Sequence, residues 1–137
     1  MANLTDASKA NESGQNLEYR LMSFLCEKNI PFKQQKPGQP EIDFIVNGEI
    51  YVDCTNQNSE GSVQEKIPHK IWKYYKKYRY KNVYIIRGSK IPDNTVIEHC
   101  NDIADRYNFK WHLVSFEEFC TFITHEKIKN KLEEFFT

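Results

Sequence analysis

Two aspartates, Asp43 and Asp53, fall in neighbouring strand-like segments, and their spacing decides what chemistry they can share. Glu41 to Val46 alternates, with Ile42, Phe44 and Val46 on one side, and Ile50 to Thr55 alternates with Ile50, Val52 and Cys54 on one side. Asn47-Gly48 between them is a hairpin signal. A tight two-residue turn would pair Val46 with Glu49 and set Phe44 opposite Tyr51. A register one residue longer pairs Ile42 with Cys54, Phe44 with Val52 and Val46 with Ile50, which gathers every apolar residue on one face. Burial sets strand register, so the longer pairing is predicted, with an extra turn residue or a bulge. Asp43 then lies directly opposite Asp53, with Cβ atoms about 5 Å apart. Facing carboxylates repel unless a cation or a proton sits between them. A hard divalent ion, Mg²⁺ with Mn²⁺ as its substitute, is the expected occupant. Glu18 lies at the edge of the apolar stripe Leu17, Leu21, Phe24 and Leu25, placed to reach the same ion from the side.

The chain that follows is basic. From Lys66 to Pro92 there is no acidic residue, while Lys66, Lys70, Lys73, Lys76, Lys77, Arg79, Lys81, Arg87 and Lys90 supply nine positive charges. From Asp93 to the end, nine acids outnumber five bases. The asymmetry predicts an anion-facing side, and the anion that suits a basic surface beside Mg²⁺ is a phosphodiester. Lys66, Lys70, Lys73 and Lys77 recur on one face of a helix whose other face carries Val63, Ile67, Ile71 and Tyr78. Lys70, Lys73 and Lys77 are the expected phosphate contacts. At helical spacing at least half of Tyr74, Tyr75, Tyr78 and Tyr80 should be core, and Trp72 and Trp111 are read as packing residues. His69, His99, His112 and His125 show no ligand spacing.

These groups must be positioned by a single domain. The chain has 137 residues, 39% of them hydrophobic, and its 19 basic and 19 acidic residues cancel, which excludes a globally basic nucleic-acid binder. No apolar run approaches the roughly 20 residues of a membrane span. Residues 1–13 are small and polar and are expected to be disordered, leaving 14–137 as the folded domain. Cys26, Cys54, Cys100 and Cys120 fit no zinc spacing; without a signal-peptide core they are expected to be reduced thiols in a cytoplasmic protein, with Cys26, Cys100 and Cys120 as small core residues. The periodicities predict the order α-β-β-β-α-β-α-β-α-α. Pro68 either opens or kinks the second helix, and Ser115 with Glu118 forms a capping box. A hairpin followed by βα units implies a mixed α/β sheet with helices on both faces.

Four short stretches now resemble a known superfamily. Gln15-Asn16-Leu17-Glu18 resembles the first-helix glutamate motif of the PD-(D/E)XK, restriction-endonuclease-like, nucleases. Pro40-Glu41-Ile42-Asp43 is similar to the PD half of the name-giving motif. Asp53-Cys54-Thr55-Asn56-Gln57 stands where family members carry Glu-Cys-Lys-x-Gln, and Gly61 to Pro68 resembles a Gly-Ser-x-x-Glu-Lys-Ile-Pro stretch of a restriction-enzyme-like subgroup. The resemblance covers about Gly14 to Gly88. It implies an αβββαβ core and a Mg²⁺-dependent endonuclease that hydrolyses DNA, double-stranded if two subunits of a homodimer each cut one strand. By the same resemblance Asp43, Asp53 and the Cys54 carbonyl would hold the metal. Glu18 would hold a second metal or its water, and Gln57 would orient water or phosphate. The family lysine would activate the attacking water, but its position is Thr55. Either a cation comes from elsewhere, with Lys66 the nearest candidate along the chain, or the site is inactive. The alternative functions are a nuclease fold that only binds nucleic acid or a protein partner, and an RNA-directed nuclease toxin.

Overall fold

The computed structural model describes residues 14–35, 42–55, 60–78, 81–89 and 91–136. Helix α1 (Gly14–Glu27) leads to strands β1 (Phe32–Gln34), β2 (Phe44–Val46) and β3 (Ile50–Thr55). Helix α2 (Glu60–Tyr75), strand β4 (Asn82–Arg87), helix α3 (Asn94–Arg106), strand β5 (Lys110–Val114) and helix α4 (Phe116–Phe136) complete the chain. The five strands lie in chain order. β1, β2 and β3 pair antiparallel, and β3, β4 and β5 pair parallel. This is the mixed α/β sheet expected of the PD-(D/E)XK fold.

Burial chose the register. Phe44 pairs with Val52, Ile45 with Tyr51 and Val46 with Ile50. The turn accommodates the extra residue by placing Asn47 (φ 54) and Gly48 (φ 71) in the left-handed region, with Glu49 N–H donating to the Val46 carbonyl at 3.2 Å. Asparagine and glycine tolerate that backbone where most residues do not.

The sheet separates two cores. On one face Phe44, Val46, Val52, Cys54, Tyr84 and Ile86 pack against Leu17, Leu21 and Leu25 of α1 and Phe119 and Ile123 of α4. On the other, Val83 and Ile85 pack against Ile67, Ile71, Tyr74 and Tyr75 of α2 and Cys100 and Ala104 of α3. Each fully buried Leu, Ile or Phe contributes about 1.5–3 kcal/mol, and these faces fix which side of β3 each residue shows.

Several expectations change. The two C-terminal helical segments are one helix of 21 residues, because nothing between Ile123 and Ile128 breaks it. Pro68 lies inside α2, so it does not open the helix. Ile42 belongs to the α2 core and not to the Phe44 face, because regular pairing ends at Phe44 and the chain bends at Asp43. Cys26 is exposed. Trp72 is 56% exposed, whereas Tyr74, Tyr75 and Tyr78 are all buried, so the indole and not the phenols faces solvent. The capping box forms as read: Ser115 N–H donates to Glu118 Oε1 at 2.8 Å and Glu118 N–H to Ser115 Oγ at 3.0 Å. Among the described residues no helix is long and apolar enough to cross a membrane. The N-terminal segment 1–13 lies outside the described residues.

Candidate active site

The hairpin brings Asp43 and Asp53 to the α2 face of the sheet, though not as a regular cross-strand pair. The β2–β3 ladder stops at Phe44 and Val52, which leaves the Cys54 N–H with no strand partner on that side. Asp43 Oδ2 accepts that N–H at 2.8 Å. A buried amide left unpaired is costly, so the carboxylate completes the edge of β3 and is thereby held against it. The bend at Asp43 is itself fixed by the Gln35 N–H, which donates to the Asp43 carbonyl at 2.9 Å.

Asp53 is 2% exposed and is gripped from two elements. Thr55 Oγ donates to Asp53 Oδ2 at 2.9 Å from the same strand. From α2, Tyr74 OH donates to Oδ1 at 3.1 Å and Lys70 Nζ lies 2.7 Å from Oδ2. Lys70 and Tyr74 are four residues apart, so they project from one side of the helix. Ile67 and Ile71 are fully buried beside them, which pins α2 at this depth over the sheet.

The electrostatics follow from burial and crowding. Burial first, and then the Asp53 charge, push the Asp43 carboxyl up to about 7; Glu18 adds to the rise, while the Cys54 amide and Lys70 oppose it. The Tyr74 hydroxyl is raised far above its ordinary value by burial and then by the neighbouring Asp53 charge, so it acts as a donor. The Cys54 thiol is raised by burial and then by Asp43, Asp53 and Glu18, which keeps it a neutral, unreactive thiol. Among the described residues, Asp53, Glu18 and Lys70 thus bear on Asp43, with carboxylates outnumbering the lysine.

The placement of each anticipated residue is now plain. Asp53 and Glu18 are both brought within electrostatic reach of Asp43. Lys66 is exposed on α2, while Lys70, one turn further on, is the lysine at Asp53. Lys70 flanks Ile67 and Ile71 on the sheet side, and Lys66 sits further round towards solvent. The Lys70 side chain is 21% exposed. Lys73 and Lys77 remain on the outer face, their ammonium groups 5.6 and 5.8 Å from the Tyr74 and Tyr78 ring centroids. The Cys54 group that meets Asp43 is its N–H. Gln57 and Asn56 lie outside the described residues. Tyr74, missed as a site residue, was readable from its position one turn after Lys70.

The donor set suits a hard divalent ion. Mg²⁺ is commonly held by one or two carboxylates, its remaining positions going to water and substrate phosphate, and two carboxylates with excess negative charge meet that requirement. Among the described residues no group of three or more His, Cys, Asp or Glu side chains surrounds one metal-sized position, so protein would supply only part of a coordination shell. Lys70 occupies one oxygen of Asp53 and would have to share or yield it.

No curated protein and no solved structure matches the chain. Residues 38–98, which include β2, β3, α2 and β4 and reach into α3, match the family model of the PD-(D/E)XK nuclease superfamily domain. Over that span the chain is similar to the PD-(D/E)XK nuclease superfamily domain, with Thr55 where that resemblance expects the lysine.

Proposed function

We propose that the protein is a divalent-metal-dependent endonuclease acting on DNA, with Mg²⁺ as its ion and Lys70 as the cation that replaces the missing strand lysine. The observation that carries this reading is the convergence of Asp43, Asp53 and Lys70 on one spot of the sheet, with the ammonium 2.7 Å from Asp53 beside a threonine that cannot carry charge. Asp43 and Asp53 would hold the ion, and Glu18 would act from the flank. When bound, the ion supplies Lewis-acid activation of water and neutralises phosphate charge. Tyr74 and Thr55 orient the Asp53 carboxylate by hydrogen bonds to its two oxygens. Lys70 offsets negative charge as it develops on the phosphoryl group. Lys73 and Lys77 draw the polyanion to the α2 face, and Gln57 is proposed to position water or phosphate.

Cleavage of both strands would take a homodimer in which the single site of each subunit cuts one strand. The free thiols of Cys26, Cys54, Cys100 and Cys120 fit a reducing, cytoplasmic setting. The direct test is incubation of purified protein with supercoiled plasmid in Mg²⁺, Mn²⁺ or EDTA. Nicking or linearisation that EDTA abolishes supports the reading, and intact plasmid in every metal refutes it. A second reading, a nucleic-acid-binding protein without hydrolysis, is favoured by one observation: both Asp53 oxygens already have protein donors. Metal-independent retardation of DNA without cleavage would select it.

A further inference from the structure

The parallel strands β3, β4 and β5 end along one edge of the sheet. In open α/β sheets the crevice beyond the carboxyl ends of the strands is where ligands bind. Thr55 and Arg87 are register partners there, and Gly88 N–H donates to the Thr55 carbonyl at 2.9 Å. Paired residues share a face, so Arg87 stands on the Asp53 side of the sheet, one strand over from β3. From it a cleft of about 330 Å³ runs along β5 and α3, from Arg87 and Ile91 at the carboxyl edge to Trp111, which pairs with Val83 near the start of the strands. Its apolar lining is Ile91, Ile97, Leu113 and the half-buried Trp111; Ile91 is 56% exposed at the rim.

The polar lining is Arg87, Asn101 and Glu118. Trp111 Nε1 donates to Asn101 Oδ1 at 3.0 Å, which sets the indole plane. An asparagine amide whose oxygen is so engaged still carries two N–H donors. Arg87 Nη1 donates to the Gly88 carbonyl at 3.1 Å, and Nη2 lies 3.9 Å from Glu118 Oε1. A carboxylate this close to the guanidinium cancels its charge and repels a phosphate. Arg87, Asn101 and the exposed Glu118 leave polar groups along the rim that a plain hydrocarbon would not use. A flat heterocycle satisfies both halves of the lining. Its face lies on indole and aliphatic carbons, its acceptors meet Arg87 and Asn101, and its donors meet Glu118. Proteins that read single-stranded or splayed-out nucleotides combine an aromatic surface with edge-on hydrogen bonds in this way.

We propose that this cleft receives a nucleobase of the bound strand, the one next to the phosphodiester presented to Asp43 and Asp53. The inference rests on the phosphodiesterase reading for its choice of ligand, but its test needs no hydrolysis. Binding of a labelled single-stranded oligonucleotide to the full chain is measured in EDTA, alongside an oligonucleotide of equal length built from abasic residues. Base stacking on an aromatic surface is worth about a tenfold gain in affinity or more, so the wild-type protein should prefer the base-bearing strand by at least about that factor. Arg87→Gln, Asn101→Ala and Leu113→Trp, the last filling the floor, should each shrink the preference to about threefold or less while leaving abasic binding unchanged. In a Trp72→Phe background the remaining indole, Trp111, should be quenched by the base-bearing strand and not by the abasic one. Equal affinity for the two strands, or a preference that all three cleft variants retain, overturns the proposal. A protein inert on plasmid that still shows the base-dependent quenching loses the hydrolase reading and keeps the cleft. A protein that cuts plasmid without any base preference keeps the hydrolase and loses the cleft.

Discussion

Replacing Lys70 with methionine removes one charge and keeps most of the apolar stem, so it isolates what the ammonium does. Asp53 is buried and Lys70 Nζ is 2.7 Å away. Removing one partner of a fully buried ion pair costs about 3–5 kcal/mol because the other charge is left uncompensated. Here the Lys70 side chain is 21% exposed and Asp53 keeps hydrogen bonds from Thr55 and Tyr74. A loss of about 2 kcal/mol is the reasoned value, equivalent to a fall in Tm of about 6 °C for a domain of this size. The assay is thermal and urea unfolding in EDTA at pH 8. Lys66→Met, on the exposed turn before, should change stability by less than about 0.5 kcal/mol. Added Mn²⁺ should raise the Tm of Lys70→Met by more than that of the wild type, since the ion then meets Asp53 without a competing ammonium. Under cleavage conditions Lys70→Met should lose about 10²–10³ in rate, the scale of losing one preorganised charge stabiliser, and Lys66→Met little. Equal effects of the two substitutions, or a Lys70→Met protein as stable and as active as its parent, would refute the assignment of Lys70 as the site's cation.

The metal-free protein should lose stability as pH rises from about 4 to about 7. The folded Asp43 carboxyl, raised to about 7 from an ordinary 3.8, keeps a proton that the unfolded chain has already released. The folded state therefore binds more protons in that window, and the penalty is complete above it, on the order of 2 kcal/mol after solvent screening. Asp43→Asn should flatten the slope and raise the Tm at pH 8, and an unchanged slope in urea titrations across that range would count against the crowded-carboxylate picture. Lys73→Glu with Lys77→Glu should weaken DNA binding for all sequences alike and reduce the slope of log K against log salt by about two units, read by fluorescence anisotropy. Tyr74→Phe should cost about 1 kcal/mol in urea unfolding by removing one donor from Asp53. Ser115→Ala should cost a similar amount in urea unfolding through the lost cap of α4.

Local pattern was enough for the scaffold. Alternation in Phe44–Val46 and Ile50–Thr55 has period two, and only one register buries Phe44, Val46, Ile50 and Val52 together. The sequence therefore determined the pairing and the side of the sheet on which Asp43 and Asp53 stand. The same logic located α3, β4 and the capping box of α4, since those signals are carried by residues within one turn of each other. The identity of the cation was a different kind of question. Lys66 and Lys70 are one turn apart on the same helix, and choosing between them depends on the rotation of α2 about its axis. That rotation is set by Ile67, Ile71 and Tyr74 packing on Ile85 and Val83, contacts between segments far apart in the chain. The exposure of Trp72 has the same origin: whether an indole lies under or beside a helix is decided by what the opposing sheet and α3 leave open. The bend that detaches Ile42 from the Phe44 face, and so hands the Cys54 N–H to Asp43, follows from where β2 runs out of partners. The cleft between Arg87 and Trp111 exists because β4 and β5, separated in sequence by α3, pair side by side and α3 packs beside them. Sequence periodicity fixes which face a residue belongs to, whereas packing between distant elements fixes which neighbour that face meets.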